Sequence, residues 1–259
     1  MCIQRSVGDG GVNAHDDAVI VQVLLNFNRK PPSQPVGIDG GVGNITIGAI
    51  REFQASVMNV AAPDGRVDPG GQTLSALRRG IPAGAIDALR LRGIMPSATA
   101  AKVQLYLAPL LAGMAGRAIN TPLRQAHFLA QVGHESGGFI YNEELASGEA
   151  YNGRADLGNT HPGDGPRFKG RGLIQLTGRA NYTAYGTAIG RDLIADPTVV
   201  ATDPNLAADV ACWFWETRNI NPLADADDIK AVTRKVNGGL NGLADREAYL
   251  RRGKFFLGL

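Results

Sequence analysis

Residues Ala126–Ala150 read AHFLAQVGHESGGFIYNEELASGEA. Apolar positions recur with the 3.6-residue period of an amphipathic helix: Phe128 and Val132 share a face, and Glu135 falls next on it. Ser136, Gly137 and Gly138 then break the helix, and Glu143, Glu144 and Glu149 follow. A carboxyl at the mouth of an apolar surface is partly stripped of water, which favours the proton-carrying form and suits a proton donor. The glycines clear room for a bulky substrate. A solvated surface glutamate requires neither feature.

The surrounding sequence extends the helical reading. Asn120 or Thr121 caps this helix and Pro122 fits its first turn. Before it, SATAAKVQLYLAPLLAGMAG is a helix that Pro109 should kink or split. After it, DPNLAADVACWFWETRN starts at Asp203 and Pro204 and buries Val210, Ala211 and Phe214. DDIKAVTRKV stops at NGG, and LADREAYLRRGKFF is the last helix. From about residue 86 the chain therefore reads as all-α, with long glycine-rich loops carrying the polar residues.

Residues 1–80 contain a weak internal repeat, seen when IDGGVGNITIGAIREFQ is set above PDGRVDPGGQTLSALRR. Each copy has Asp-Gly (Asp39-Gly40, Asp64-Gly65), a valine two residues on, a threonine (Thr46, Thr73) and a short apolar helix pattern. Asp-Gly supplies the turn and the threonine is expected to cap the helix. DDAVIVQVLLNFN adds an upstream helix with Ile20, Val23 and Leu24 on one face. Residues 12–79 resemble the peptidoglycan-binding domain found at the ends of many bacterial and phage cell-wall hydrolases, which implies a small three-helix domain. Pro82 and two glycines in GIPAGAID place a linker at 81–85.

Composition excludes several classes of function. The chain has 259 residues, 44% of them hydrophobic, so it is long enough for one large or two unequal domains. A net charge of +2 provides no basic field of the strength that nucleic-acid binding requires. Cys2 and Cys212 lie at opposite ends and are expected to be free thiols. The N-terminus lacks a signal-peptide pattern, and no run approaches the roughly 18 apolar residues of a membrane span. The expectation is a monomer made in a cytoplasm, without stable membrane insertion, that needs a separate factor to reach any target beyond the membrane.

Two carboxylates on opposite walls of a cleft can break a glycosidic bond, one as acid and one as base. Spacing alone does not choose among Glu143, Glu144 and Glu149 as partner to Glu135. His127 and His134 share a helix face, but no HExxH, ligand-spaced carboxylate or cysteine pair accompanies them, so zinc is not expected. His134 is expected to orient the site loop or to be a satisfied structural histidine. The Trp213-Phe214-Trp215 cluster suggests sugar stacking, yet on an apolar helix it reads as core, Phe214 included.

RFKGRGLIQLTGRANYTAYG joins AHFLAQVGHESGGF, ASGEAYNGRADLGNTHPGDG, ACWFWETRN and VNGGLNGLADR in one chain order. With these five segments, residues 86–259 closely resemble the family 19 glycoside hydrolases, the chitinases and related phage endolysins, which have a lysozyme-like α-helical fold. The resemblance implies that Glu135 is the general acid, Glu144 the second carboxylate and Thr177 a hydroxyl that holds the attacking water. It further implies a sugar cleft lined by Gln175, Asn181, Tyr182 and Asn237, with His134 beside it, and no cofactor. The expected function is an endolysin that hydrolyses the β-1,4 glycan strands of peptidoglycan. Chitinase, lytic transglycosylase and a non-enzymatic wall-binding protein are the alternatives.

Overall fold

The computed structural model describes residues 2–259. Strand β1 (Val7–Gly8) is followed by α1 (His15–Asn28) and α2 (Asn44–Ser56); strand β2 (Arg66–Val67) pairs antiparallel with β1, and α3 (Gln72–Arg79) follows. Then come α4 (Ala88–Ile94), α5 (Ala100–Gly116), α6 (Pro122–Glu135), α7 (Asp164–Arg167) and α8 (Arg179–Ile189). The chain ends with α9 (Val199–Thr202), α10 (Pro204–Thr217), α11 (Asn221–Asp225), α12 (Ile229–Asn237) and α13 (Leu243–Phe256). Apart from the two-residue ribbon, the architecture is the all-α one expected from the sequence.

Side chains that cap helices set the register of the helices that matter. The Thr121 hydroxyl accepts from the Arg124 N–H at 3.2 Å, and Pro122 occupies the first turn of α6. Asp203 caps α10 in the same way, accepting from Asn205 N–H at 2.9 Å. Pro109 does not split α5, which runs unbroken from Ala100 to Gly116. The carbonyl that loses its partner belongs to Leu105, on the exposed face of the helix, where water can replace the missing bond.

The threonines of the N-terminal repeat are not caps: Gly43 and Gly71 hold those positions. Instead each repeat closes on a buried glutamine. Gln22 Nε2 donates to Asp39 Oδ1 at 2.9 Å and Thr46 Oγ1 at 3.4 Å, while its Oε1 accepts from Gly40 N–H at 2.9 Å. Gln54 repeats the pattern with Asp64 Oδ1 at 2.6 Å, Thr73 Oγ1 at 3.1 Å and Gly65 N–H at 2.9 Å. Gly40 and Gly65 have φ of 74° and 72°, the left-handed region that Asp-Gly turns favour. The glutamine bond is the main reason that both aspartates are held below the usual carboxylate range.

The apolar core runs through the whole chain. α1 packs chiefly against α4, and the Phe27 and Phe256 rings lie 6.5 Å apart. The Arg90 guanidinium sits over Phe27 at 5.4 Å and donates to the Pro82 carbonyl, tying the 81–85 segment to α4. α6 packs most extensively against α13. The two helices approach closely because both contact residues are glycines: a Cβ on Gly133 would lie 2.7 Å from the Tyr249 ring, and one on Gly253 would lie 3.1 Å from Ala126. That crossing brings Arg246 to the end of α6.

Candidate active site

Glu135 is the last residue of α6, and its side chain is 21% exposed. The C-terminal end of a helix is its electronegative end, an unfavourable place for an anion. Arg246, almost wholly buried on α13, offsets this: its Nη2 donates to Glu135 Oε1 at 2.5 Å and its Nη1 to Gln131 Oε1 at 2.5 Å. Gln131 is fully buried one helical turn before Glu135. The carboxyl is therefore mounted on a helix end beside a fixed positive charge. Neither Arg246 nor Gln131 was identified from the sequence, since Arg246 lies 111 residues away in the chain.

Glu135 opens onto a cleft of about 250 Å³ lined also by Gln175, Thr177, Asn181, Phe214 and Asn237. Four of these are residues that the sequence reading assigned to the site. The Thr177 hydroxyl donates to the Gln175 carbonyl at 2.9 Å, and Asn181 Nδ2 donates to the Thr177 carbonyl at 2.7 Å. Thr177 Oγ1 keeps its lone pairs for an incoming donor. Gln175 has φ of 58°, a left-handed conformation costly for a side-chain-bearing residue, held by its N–H bond to the Gly172 carbonyl at 3.1 Å. Phe214 corrects the sequence reading: Trp215 and Trp213 are core, and Phe214 is the aromatic that reaches the cleft, with the Arg218 guanidinium 3.7 Å from its ring centroid.

Glu144 sits on a loop fastened to the segment that leads into this cleft. Its N–H donates to the Gly170 carbonyl at 2.8 Å, its Oε2 accepts from Gly170 N–H at 3.1 Å, and its Oε1 accepts from the Tyr151 hydroxyl at 3.0 Å. A Cβ on Gly170 would lie 3.3 Å from Glu144 Oε2 and 2.9 Å from Gln175 Oε1, so the Glu144 carboxylate and the Gln175 amide both pack against Gly170. The alternatives are differently placed. Glu143 accepts from Arg171 Nε at 3.0 Å and lies 3.4 Å from Lys169 Nζ, so its charge is neutralised. Glu149 is exposed and accepts from Asn152 Nδ2 at 2.5 Å.

Glu144 is not among the residues that line the cleft, and two more of those expected there stand elsewhere. Tyr182 is fully buried; its hydroxyl donates to the Lys169 carbonyl at 2.9 Å and accepts from Arg171 Nη1 at 3.2 Å. Burial pushes its phenol up to about 12, so it remains neutral and braces the 169–171 strap rather than touching a glycan. His134 pairs with Asp245 Oδ2 at 2.7 Å and packs against Gly242, which ties α6 to the start of α13 instead of lining the cleft.

Comparison with known proteins fits this geometry. The profile described as "Chitinase class I", of glycoside hydrolase family 19, matches residues 119–235. A family 19 glycosyl hydrolase domain-containing protein of Haemophilus influenzae is 36% identical over 155 aligned residues, covering 48% of this chain and 75% of that protein. An endochitinase of Arabidopsis thaliana is 43% identical over 114 residues, 44% of this chain and 38% of the plant protein. Among solved structures, chitinase C of Streptomyces griseus superposes with a TM-score of 0.57 at 24% identity, covering 67% of this chain and 92% of that one. A class IV chitinase of Zea mays gives 0.52 at 26% identity over 67% of this chain and 91% of that one. The chain belongs to the family 19 glycoside hydrolases, with the chitinase-like all-α fold. It spans well under half the length of the plant relative.

Proposed function

We propose that this protein is an endolysin that hydrolyses the β-1,4 glycan strands of bacterial peptidoglycan by direct attack of water, with inversion. The observation that carries this reading is the joint placement of Glu135, Gln175, Thr177, Asn181 and Asn237 around one cleft, with Glu144 and Gln175 both packed against Gly170. Glu135 protonates the leaving oxygen, and the buried Arg246 stabilises the carboxylate that remains. Glu144 takes the proton of a water whose own O–H is held by Thr177 Oγ1. Gln175, Asn181 and Asn237 provide amides for the N-acetyl and hydroxyl groups of the sugars, and Phe214 an apolar face.

Peptidoglycan is favoured over chitin by residues 12–79, whose resemblance to wall-binding domains gives an insoluble wall a second attachment and so a raised local concentration. Residues 1–80 act as that wall-binding region, 81–85 as its connection and 86–259 as the catalytic region. The protein acts as a monomer on the wall after a separate membrane-permeabilising factor releases it from the host cytoplasm; among the described residues no helix is long and apolar enough to cross a membrane. Chitin hydrolysis is the second reading, supported by the names of the relatives. Mass spectrometry of products from purified peptidoglycan and chitin oligomers, run in parallel, decides between them. Reducing muropeptides support the proposal. Cleavage of chitin alone overturns it in favour of chitinase, and anhydro-sugar ends in favour of a transglycosylase.

A further inference from the structure

Three cavities that share no lining residue with the cleft adjoin one another. The first, about 390 Å³, lies between α1 and α2 and includes Arg29, Lys30, Glu52 and Phe53. It shares Asn28, Val57 and Gly80 with a second of about 660 Å³ beside α3 that adds Arg79. This shares Gly70 and Ser75 with a third of about 350 Å³, between α3 and α13, which adds Arg78, Arg251 and Lys254.

The charges along this run are lopsided. Six cationic side chains line it against one acidic side chain, Glu52, in a chain whose totals are 26 and 24, and one of the six, Arg78, donates to the Leu259 terminal oxygen at 2.7 Å. Arg29 pairs with Glu52 at 3.0 Å and Lys254 with Asp227 at 2.5 Å, whereas Lys30, Arg79 and Arg251 are exposed and form no ion pair among the described residues. Arg29 Nε is buried without a hydrogen-bond partner. Phe27, Phe53 and Phe255 supply apolar surface along the floor. Three cavities in a row suit an extended polymer better than a compact molecule, and unpaired cations along an apolar floor suit one that alternates carboxylates with apolar faces.

We propose that this groove is a composite seat for the carboxylate-bearing peptide and glycan strands of peptidoglycan, formed jointly by residues 1–80 and by α13. It rests on the reading of the protein as a wall hydrolase, and adds that the wall contact does not end at residue 80. Arg251 and Lys254 come from the same helix that delivers Arg246 to Glu135, so a strand seated here is held on the framework of the active site.

The test is co-sedimentation of the full-length chain with purified insoluble peptidoglycan, in a Glu135→Gln background so that the wall stays intact. Lys30→Glu, Arg79→Glu and Arg251→Glu are each expected to weaken binding about threefold, and the triple variant about 30-fold, with the loss shrinking as salt is raised. Lys230→Glu, an exposed cation outside the groove, controls for net charge. Thermal melts confirm folding, and Lys30→Gln, Arg79→Gln and Arg251→Gln repeat the test without introducing repulsion. Unchanged binding by Arg251→Glu overturns the composite site, unchanged binding by all three overturns the groove, and an equal loss with Lys230→Glu reduces it to net charge. Products of the wild-type enzyme on the same wall report separately on the hydrolase reading, so either can fail alone.

Discussion

Glu135 and Glu144 are nine residues apart in sequence and are mounted in opposite ways. Glu135 terminates a helix whose register is fixed by a cap at Thr121 and by a close glycine crossing with α13, and it faces a buried guanidinium. Glu144 is held on a loop by two neutral donors, the Tyr151 hydroxyl and the Gly170 N–H. A carboxylate has about four acceptor sites, so two neutral bonds leave Glu144 free to accept from a water as well. The difference suits the two proposed roles: a fixed cation steadies the anion left after a proton is given away, whereas neutral donors orient a carboxylate without consuming its charge.

The largest expected effect breaks the helix mount. Glu135→Gln keeps the shape and removes the transferable proton, so turnover should fall by at least about 100-fold. The glutamine amide keeps an oxygen that can accept from Arg246 Nη2, so the variant should fold with a melting temperature near that of wild type. Near-normal hydrolysis by this variant would remove Glu135 from the acid role.

Breaking the loop mount should cost somewhat less. Glu144→Gln is expected to lower kcat by about 30-fold, within the range for a lost general base. Glu143→Gln should leave turnover within about threefold and act on stability instead, because Glu143 is the counter-ion of Arg171 and Lys169. A larger catalytic loss at Glu143 than at Glu144 would reverse the assignment of the second carboxylate.

Thr177 sharpens the comparison, because it matters only if water occupies the space between the two carboxylates. Thr177→Val removes the oxygen that accepts from that water and should lower kcat about tenfold with KM unchanged. The first-formed product should be the α-anomer by NMR. An initial β-product, or a trapped glycosyl-enzyme, would mean that a carboxylate attacks directly and that Thr177 holds no nucleophilic water.

The two mounts were not equally legible in the sequence. Local signals located the helix end: the 3.6-residue period through Phe128 and Val132, the Thr121-Pro122 start and the glycines after Glu135. These depend on residues close in the chain, which is why they could be read. The partners that define each mount are distant, Arg246 at 111 residues from Glu135 and Gly170 at 26 from Glu144, and no local period encodes them. The same limit explains the errors. Tyr182 carries an aromatic ring and a polar tip whether it faces a sugar or braces a buried strap, and Phe214 differs from its tryptophan neighbours only by its angle around α10. Thr46 and Thr73 looked like caps because threonine before a helix often is one, yet glycine took the cap and buried glutamines claimed the hydroxyls.

The smallest effect probes Tyr151, which touches the loop carboxylate alone. Burial, reinforced by the bond to Glu144 and its charge, raises the phenol above its ordinary value, so it is a neutral donor at neutral pH. Tyr151→Phe removes one of two bonds to the carboxylate and leaves the Gly170 N–H in place. A lost bond of this kind is worth about 1 kcal/mol, so kcat should fall by only about fivefold, with little change in KM. If the hydroxyl acts through Glu144, the loss should vanish in a Glu144→Gln background, because the group being oriented no longer does the chemistry. If the same fivefold loss persists there, Tyr151 contacts the substrate itself, and the loop mount rests on the Gly170 strap alone.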